Sequence, residues 1–373
     1  MAGPSRDPSP LRGPLLAGLG AAVLLAGGAG ALAWLAGGEP APVVRASADI
    51  AAPAADPVLS IEARPADPFA QSPEDDLSLP GVTDTQTALA AAPEPAQTRR
   101  RGPAAPLPGL FEPGPGGPLP VIAEDGRRPD TVYAKAFDGV ADAPTVAIVV
   151  GGLGLSESLT RRAIDTLPSE VTLSFAAYSE DLQGWIDAAR ADGHEVLIEL
   201  PMEPFDYPNN DPGPHTLLAD ASPEENRRRL LSLLARGAGY AGVANYLGAR
   251  LGAAEAPLAA IFAELETRGL SVFHDGAGRR PVLEAAARRA GARVALADRV
   301  VDGDPDPSAI DARLLELEAL ALQNGTALGS GFAYPATVDT VAAWAEGLAA
   351  RGYQLAPASY VKTLRQAEAG PET

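Results

Sequence analysis

From residue 144 onward, short apolar runs alternate with amphipathic stretches of helical period. Apolar, β-branched runs at 146–150, 171–175, 195–200, 242–245, 271–273, 293–296, 326–329 and 354–356 predict strands. Between them, residues 156–166, 182–192, 223–235, 256–268, 280–290, 310–323 and 338–351 carry apolar positions at the spacing of one helix face. Five of the joints repeat one device: Gly193, Gly269, Gly291, Gly325 and Gly352 each stand just after a helix and just before a strand. Glycine there takes the left-handed conformation that ends a helix, and the cationic or polar residues in these joints, such as Arg268, Arg289, Asn324 and Arg351, suit the helix terminus. Helix after strand, repeated this way, predicts a parallel α/β domain, and seven or eight such units close into a barrel. The domain is expected over 144–365, with a docking arm at 131–143 and a short tail at 366–373.

The N-terminal third has a different pattern. Residues 13–38 hold no charged side chain, with Arg6 and Arg12 before them and Glu39 after. A span needs roughly 20 apolar residues, and arginines on the leading flank keep that flank in the cytoplasm. The expectation is a cytoplasmic tail at 1–12 and a retained anchor at 13–38, hence a single-pass inner-membrane protein with its C-terminal domain in the periplasm. The alternative is a cleaved signal processed near Ala46-Ser47-Ala48, for which the apolar region is long. Gly18, Ala22, Ala26 and Gly30 recur every fourth residue and would allow close helix pairing, so homodimerisation through the anchor is a further expectation. Residues 39–130 are rich in Ala, Pro, Asp and Gly with few aromatic side chains, a composition expected to form a disordered tether.

Composition narrows the function. The net charge is −19, from 48 acidic and 29 basic residues, which repels phosphate backbones and excludes nucleic acid as a partner. The absence of cysteine excludes disulfides, thiolate catalysis and cysteine-ligated zinc. Gly151-Gly152-Leu153-Gly154 follows the first strand but lacks the third glycine of a dinucleotide fingerprint, so no nucleotide cofactor is expected. There is no nucleophile-elbow motif.

In parallel α/β domains ligands bind beyond the carboxyl ends of the strands. That rule selects Gly151 and Gly152, Glu199 with Glu203 and Asp206 in the proline-rich loop after it, Asn245 and Tyr246, His274 and Asp275, Asp298, and the turn at 329–334 with Phe332. His194 lies at the opening end of its strand and reads as structural. His274 and Asp275 are neighbours on a strand and should face opposite sides. Glu199, Glu203, Asp275 and Asp298 could supply a carboxylate pair for glycosidic acid/base chemistry.

Several stretches resemble the divergent polysaccharide deacetylase family of Gram-negative bacteria: VAIVVGGLGLS from Val146, AIDTLPSEVTLSFAAY from Ala163, GHEVLIELPMEPFDYPNNDPGPHTLL from Gly193, GVANYLGARL from Gly242 and RGLSVFHDG from Arg268. The resemblance spans nearly all of 144–365. It implies a distorted (β/α) barrel, export to the periplasm, a cell-envelope glycan as partner, and a divalent metal that activates water against an acetyl group. This chain departs from the pattern where that chemistry would sit. Gly151 and Gly152 replace an Asp pair, and Glu199, Tyr246 and Phe332 replace three histidines, while Asp275 is kept. Two oxygen ligands make a poor site for a catalytic metal, so neither metal nor cofactor is expected. Glu199 and Asp275 remain the catalytic candidates. Three readings follow: a glycan-recognising domain without metal-dependent deacetylation, a carbohydrate hydrolase with a remodelled carboxylate site, or an envelope scaffold.

Overall fold

A computed structural model describes residues 104–276 and 280–369, all of them within one unit of the chain, Leu89–Thr373. The tail and anchor expected at 1–38 and most of the tether lie outside the described residues. Among the described residues no helix is long and apolar enough to cross a membrane.

The chain enters through a two-stranded hairpin, β1 (Phe111–Pro113) and β2 (Pro118–Pro120), and one turn of helix, α1 (Pro129–Val132). Strands and helices then alternate: β3 (Thr145–Leu153), α2 (Glu157–Thr166), β4 (Thr172–Ala176), α3 (Leu182–Ala191), β5 (Val196–Met202), α4 (Pro223–Leu234), β6 (Gly242–Leu247), α5 (Glu255–Thr267), β7 (Ser271–His274) and α6 (Arg280–Ala290). There follow β8 (Val294–Leu296), β9 (Arg299–Val300), α7 (Pro307–Asn324), β10 (Thr326–Phe332), α8 (Pro335–Glu346), β11 (Gln354–Leu355) and α9 (Ala358–Ala369). The sheet order is β8-β7-β6-β5-β4-β3-β10-β9, with every pairing parallel and β11 added on β3.

One short piece of chain joins the two edges. The Ala297 N–H donates to the His274 carbonyl of β7 at 2.8 Å, and the next N–H, of Asp298, donates to Leu328 of β10 at 2.7 Å. The sheet is therefore curled until its edges meet on that segment, in agreement with the expected distorted barrel. Alternation along β3 sorts the two sides: Val146, Ile148 and Val150 join the large cluster under the helices, while Ala147 and Val149 face inward with Leu197, Ala244, Phe273 and Leu328. The inner set includes Ala358 and Val361, so α9, absent from the sequence-based expectation, plugs the base of the barrel.

The five glycine joints have the expected backbone, with φ of 94° at Gly193, 71° at Gly269, 60° at Gly291, 74° at Gly325 and 88° at Gly352. Helix starts follow side-chain chemistry: Asp181, Ser222 and Asp306 accept from backbone N–H groups at the heads of α3, α4 and α7.

The folded region begins earlier than the composition predicts. The expected tether runs to residue 130, yet Leu110, Leu119, Ala123 and Tyr133 are buried and Asp130 is 2% exposed. Asp130 accepts from Ser271 Oγ at 3.1 Å and pairs with Arg128 and Arg293, each at 3.2 Å, with Lys362 Nζ 3.8 Å away. Burial lowers the pKa of Lys362, against the pull of Asp130. A few anchoring side chains thus hold a proline-rich segment that low overall hydrophobicity alone would leave loose. The tail expected at 366–373 is likewise shorter, since α9 runs on to Ala369.

Candidate functional site

Glu195 stands just before β5 at the base, and Glu199 follows Leu197 on the inward side of the strand. Strands on both sides, paired at Ala176 and Ala244, remove its carboxyl from water, and it is 5% exposed. Space for the carboxyl exists because residue 151 across the barrel has no side chain: a Cβ there would collide with Oε1 and lie 3.2 Å from Cδ. The same oxygen accepts the Gly152 N–H at 2.9 Å. Burial raises the Glu199 pKa from 4.5 to about 8; the Gly152 hydrogen bond works against the shift and the negative charge of Asp275 adds to it. At neutral pH this carboxyl is a proton donor rather than an anion.

Around it lies a cavity of about 50 Å³, to which the fold brings Gly151, Glu199, Asn245, His274, Asp275 and Phe332. Phe332 lines it, and outside the lining Tyr246 meets the Phe332 ring edge to face with centroids 6.0 Å apart and Tyr334 lies 6.1 Å from it; Gly152 and Tyr246, expected in the cleft, do not line the cavity. Burial raises the Tyr246 pKa, with Glu199 adding to the shift. Asn245 is structural as well as lining, since it accepts the Asp275 N–H at 2.9 Å and donates to Leu247 at 2.8 Å. His274 and Asp275 do not face opposite ways. β7 ends at His274, so the pleat no longer sets the direction of the next residue, and His274 Nδ1 lies 3.1 Å from Asp275 Oδ1. His274 Nε2 is buried without a hydrogen-bond partner among the described residues, and so is the hydroxyl of Ser330 on the cavity wall.

Other predicted positions serve elsewhere. Glu203 is buried with Oε2 accepting the Ala219 N–H at 2.7 Å and Oε1 bound by Arg250, which also holds Asp220; this clamps the two ends of the proline-rich loop together. Asp298 accepts the Leu328 N–H at 2.8 Å and pairs with Arg365, at the seam of the barrel. Asp206 is exposed on the loop. None of these three lines the cavity. His194 is 3% exposed, with its ring nitrogens 2.9 Å from the Val171 carbonyl and 3.2 Å from that of Ile164, and burial lowers its pKa. Tyr178 is the residue that sequence reasoning missed: its pKa is raised by burial and by neighbouring Tyr246 and Glu199. The strand-end rule, applied to β4 as to the others, would have selected it.

The profile of the family described as divergent polysaccharide deacetylase matches residues 148–361. This chain belongs to that family. Among solved structures it is similar to an uncharacterized protein of Agrobacterium tumefaciens C58, with 38% identity, a TM-score of 0.64, and coverage of 65% of this chain and 99% of that one. More remote are a putative cellobiose-phosphate cleavage protein of Enterococcus faecalis V583 (13% identity, TM-score 0.42, 57% and 97% covered) and a CE4 family pseudoenzyme of Bacillus anthracis (12%, 0.37, 65% and 72%). No curated protein matches the chain.

Polysaccharide deacetylases are associated with a divalent metal, and the residues at this mouth do not fit one. Gly151 and Gly152 offer no side-chain donor, Phe332 offers none, and Tyr246 would have to lose a proton whose pKa is raised. The Glu199 carboxyl keeps its proton to about pH 8, and one of its oxygens already accepts from Gly152. Among the described residues no three His, Cys, Asp or Glu side chains are grouped to hold a metal ion. Hydrolytic metals generally take about three protein ligands and leave one position open.

Proposed function

We propose that this divergent polysaccharide deacetylase domain recognises a cell-envelope glycan without metal-dependent deacetylation, and that it does so in the periplasm, tethered to the inner membrane by residues 13–38. The observation that carries the reading is the filling of the barrel mouth. A neutral carboxyl occupies the space made by Gly151, and Tyr246, Phe332 and Tyr334 stand beside it. Aromatic faces with a few oriented polar groups suit the C–H faces and hydroxyls of sugars, whereas they supply few ligand atoms to a metal ion. Family membership supports a glycan as the partner. The uncharged stretch at 13–38, with Arg6 and Arg12 before it, supports the anchor and its orientation.

The test uses the full-length chain. Metal analysis after incubation with zinc should find no stoichiometric ion, acetylated glycan fragments should release no acetate, and the same fragments should bind. Stoichiometric zinc together with acetate release would overturn the reading. Fractionation that recovers the chain as soluble periplasmic protein would overturn the tether, and crosslinking in membranes reports on pairing through Gly18, Ala22, Ala26 and Gly30.

A further inference from the structure

The cavity at Glu199 is small: its volume of about 50 Å³ is well below the roughly 300–1,000 Å³ typical of ligand sites. Beside it, on the same end of the barrel, a groove of about 560 Å³ runs between α2 and α3. That volume is within the range of about 300–1,000 Å³ typical of ligand sites. Its walls come from the turns after β3 and β4 and from the first two turns of both helices.

We infer that this groove is the saccharide-holding subsite of the domain, and that the saccharide it selects carries a free amine. The inference rests on the glycan-recognising reading above. Tyr178 belongs to the groove and also senses Glu199 and Tyr246, so a chain lying in the groove reaches the barrel mouth across one tyrosine. Trp185 forms the far wall, half-buried, with the Arg161 guanidinium 5.5 Å from its ring centroid. Beyond it a second depression of about 270 Å³ continues between the helices, lined by Asp165, Trp185 and Asp192 among others. Trp185 is thus a ridge along a track, which suits an extended chain of sugar rings.

Charge decides which chain. Glu157, Glu180 and Asp181 line the groove with one cation, Arg161, which already pairs with Glu157 at 3.2 Å, while Arg236 is held on the Ser179 carbonyl at 3.1 Å. Asp181 is fixed by capping α3, accepting the Gly184 N–H at 3.2 Å. An ammonium group gains from this field, while a uronate or phosphate is repelled. One observation apart from the acids also points to a ligand. Ser179 is 2% exposed and lies in the groove lining, its hydroxyl without a hydrogen-bond partner among the described residues. That hydroxyl packs against Gly154, where a Cβ would come within 2.9 Å of it, so only a glycine fits beside this unused donor.

The experiment labels the full-length chain with 5-fluorotryptophan and titrates it with a glucosamine tetramer, an N-acetylglucosamine tetramer and a galacturonate tetramer. The resonances of Trp34, Trp185 and Trp344 are assigned by Trp185→Phe and Trp344→Phe. The glucosamine tetramer should shift the Trp185 signal and bind at least about tenfold more tightly than the other two. The double variant Glu180→Gln, Asp181→Asn keeps shape and helix cap and should weaken that binding by about tenfold, with most of its salt dependence gone. A silent Trp185, or unchanged affinity in the double variant, overturns the inference. If the acetylated tetramer binds instead and Tyr246→Ala abolishes it, the groove assignment fails and the glycan reading stands. If no tetramer binds, both fail.

Discussion

Replacing Glu199 with Gln preserves the shape of the side chain and the acceptor for the Gly152 N–H, and removes only the titrating proton. In the folded wild type the carboxyl stays protonated to about pH 8, whereas in the unfolded chain it ionises near its ordinary 4.5. Below pH 4.5 both states carry the proton and the group adds no pH dependence. As pH rises past that value the unfolded state releases its proton and the folded state cannot, so stability falls until the folded group also ionises near pH 8. At about 1.36 kcal/mol per tenfold change in proton affinity, that interval corresponds to on the order of 4–5 kcal/mol. Domains are typically stable by about 5–15 kcal/mol, so the effect is a large part of the whole. Urea unfolding of wild type and Glu199→Gln from pH 4.5 to 8.5 should give a difference near zero at the acid end. The variant should become more stable by several kcal/mol at the alkaline end. Parallel curves across that window would mean that the folded carboxyl is ionised, and the account of the barrel mouth as a neutral acid in a dry site would be wrong.

Gly151→Ala puts a Cβ into the space of the Glu199 carboxyl and should cost about 1–3 kcal/mol of unfolding free energy. In a Glu199→Ala background the same change should cost under about 0.5 kcal/mol, and additive costs would refute the complementarity. Asp130→Ala removes the buried carboxylate shared by Arg128, Arg293 and Lys362, leaving Arg128 with Glu266 and Lys362 with the Ser271 hydroxyl, and should destabilise by about 3–5 kcal/mol, visible as a clear fall in Tm. A loss below about 1 kcal/mol would show that the arm is not held there. Arg250→Ala releases Glu203 and Asp220, so the Ala219 amide should exchange faster, with local opening easier by about 1–2 kcal/mol; unchanged exchange would count against the clamp.

Much of the fold could be read along the chain because its signals are short-range. A left-handed glycine between helix and strand needs only its own φ, and the period of an apolar stripe needs only one element, so Gly193, Gly269, Gly291, Gly325 and Gly352 marked the units. The strand-end rule likewise found Glu199, Asn245, His274, Asp275 and Phe332 for one cavity. It misjudged His274 against Asp275, because a strand's alternation stops where its pairing stops. Composition also misjudged residues 104–130, where burial of Leu110, Leu119, Asp130 and Tyr133 outweighs a loose average.

By itself, then, the order of residues determined a parallel barrel with its ligand end at the strand termini, and glycines at 151 and 152 and aromatic rings at 246 and 332, where the family resemblance implies metal-binding side chains. The tertiary structure alone decided that Glu199 fills the hole at Gly151, that Glu203 and Asp298 hold the scaffold, and that the roomy groove lies between α2 and α3. The division has a physical cause. Backbone conformation and amphipathic period are set within a few residues, whereas Gly152 and Glu199 meet across 47 positions of chain, and only the curled sheet brings such pairs together and takes them out of water.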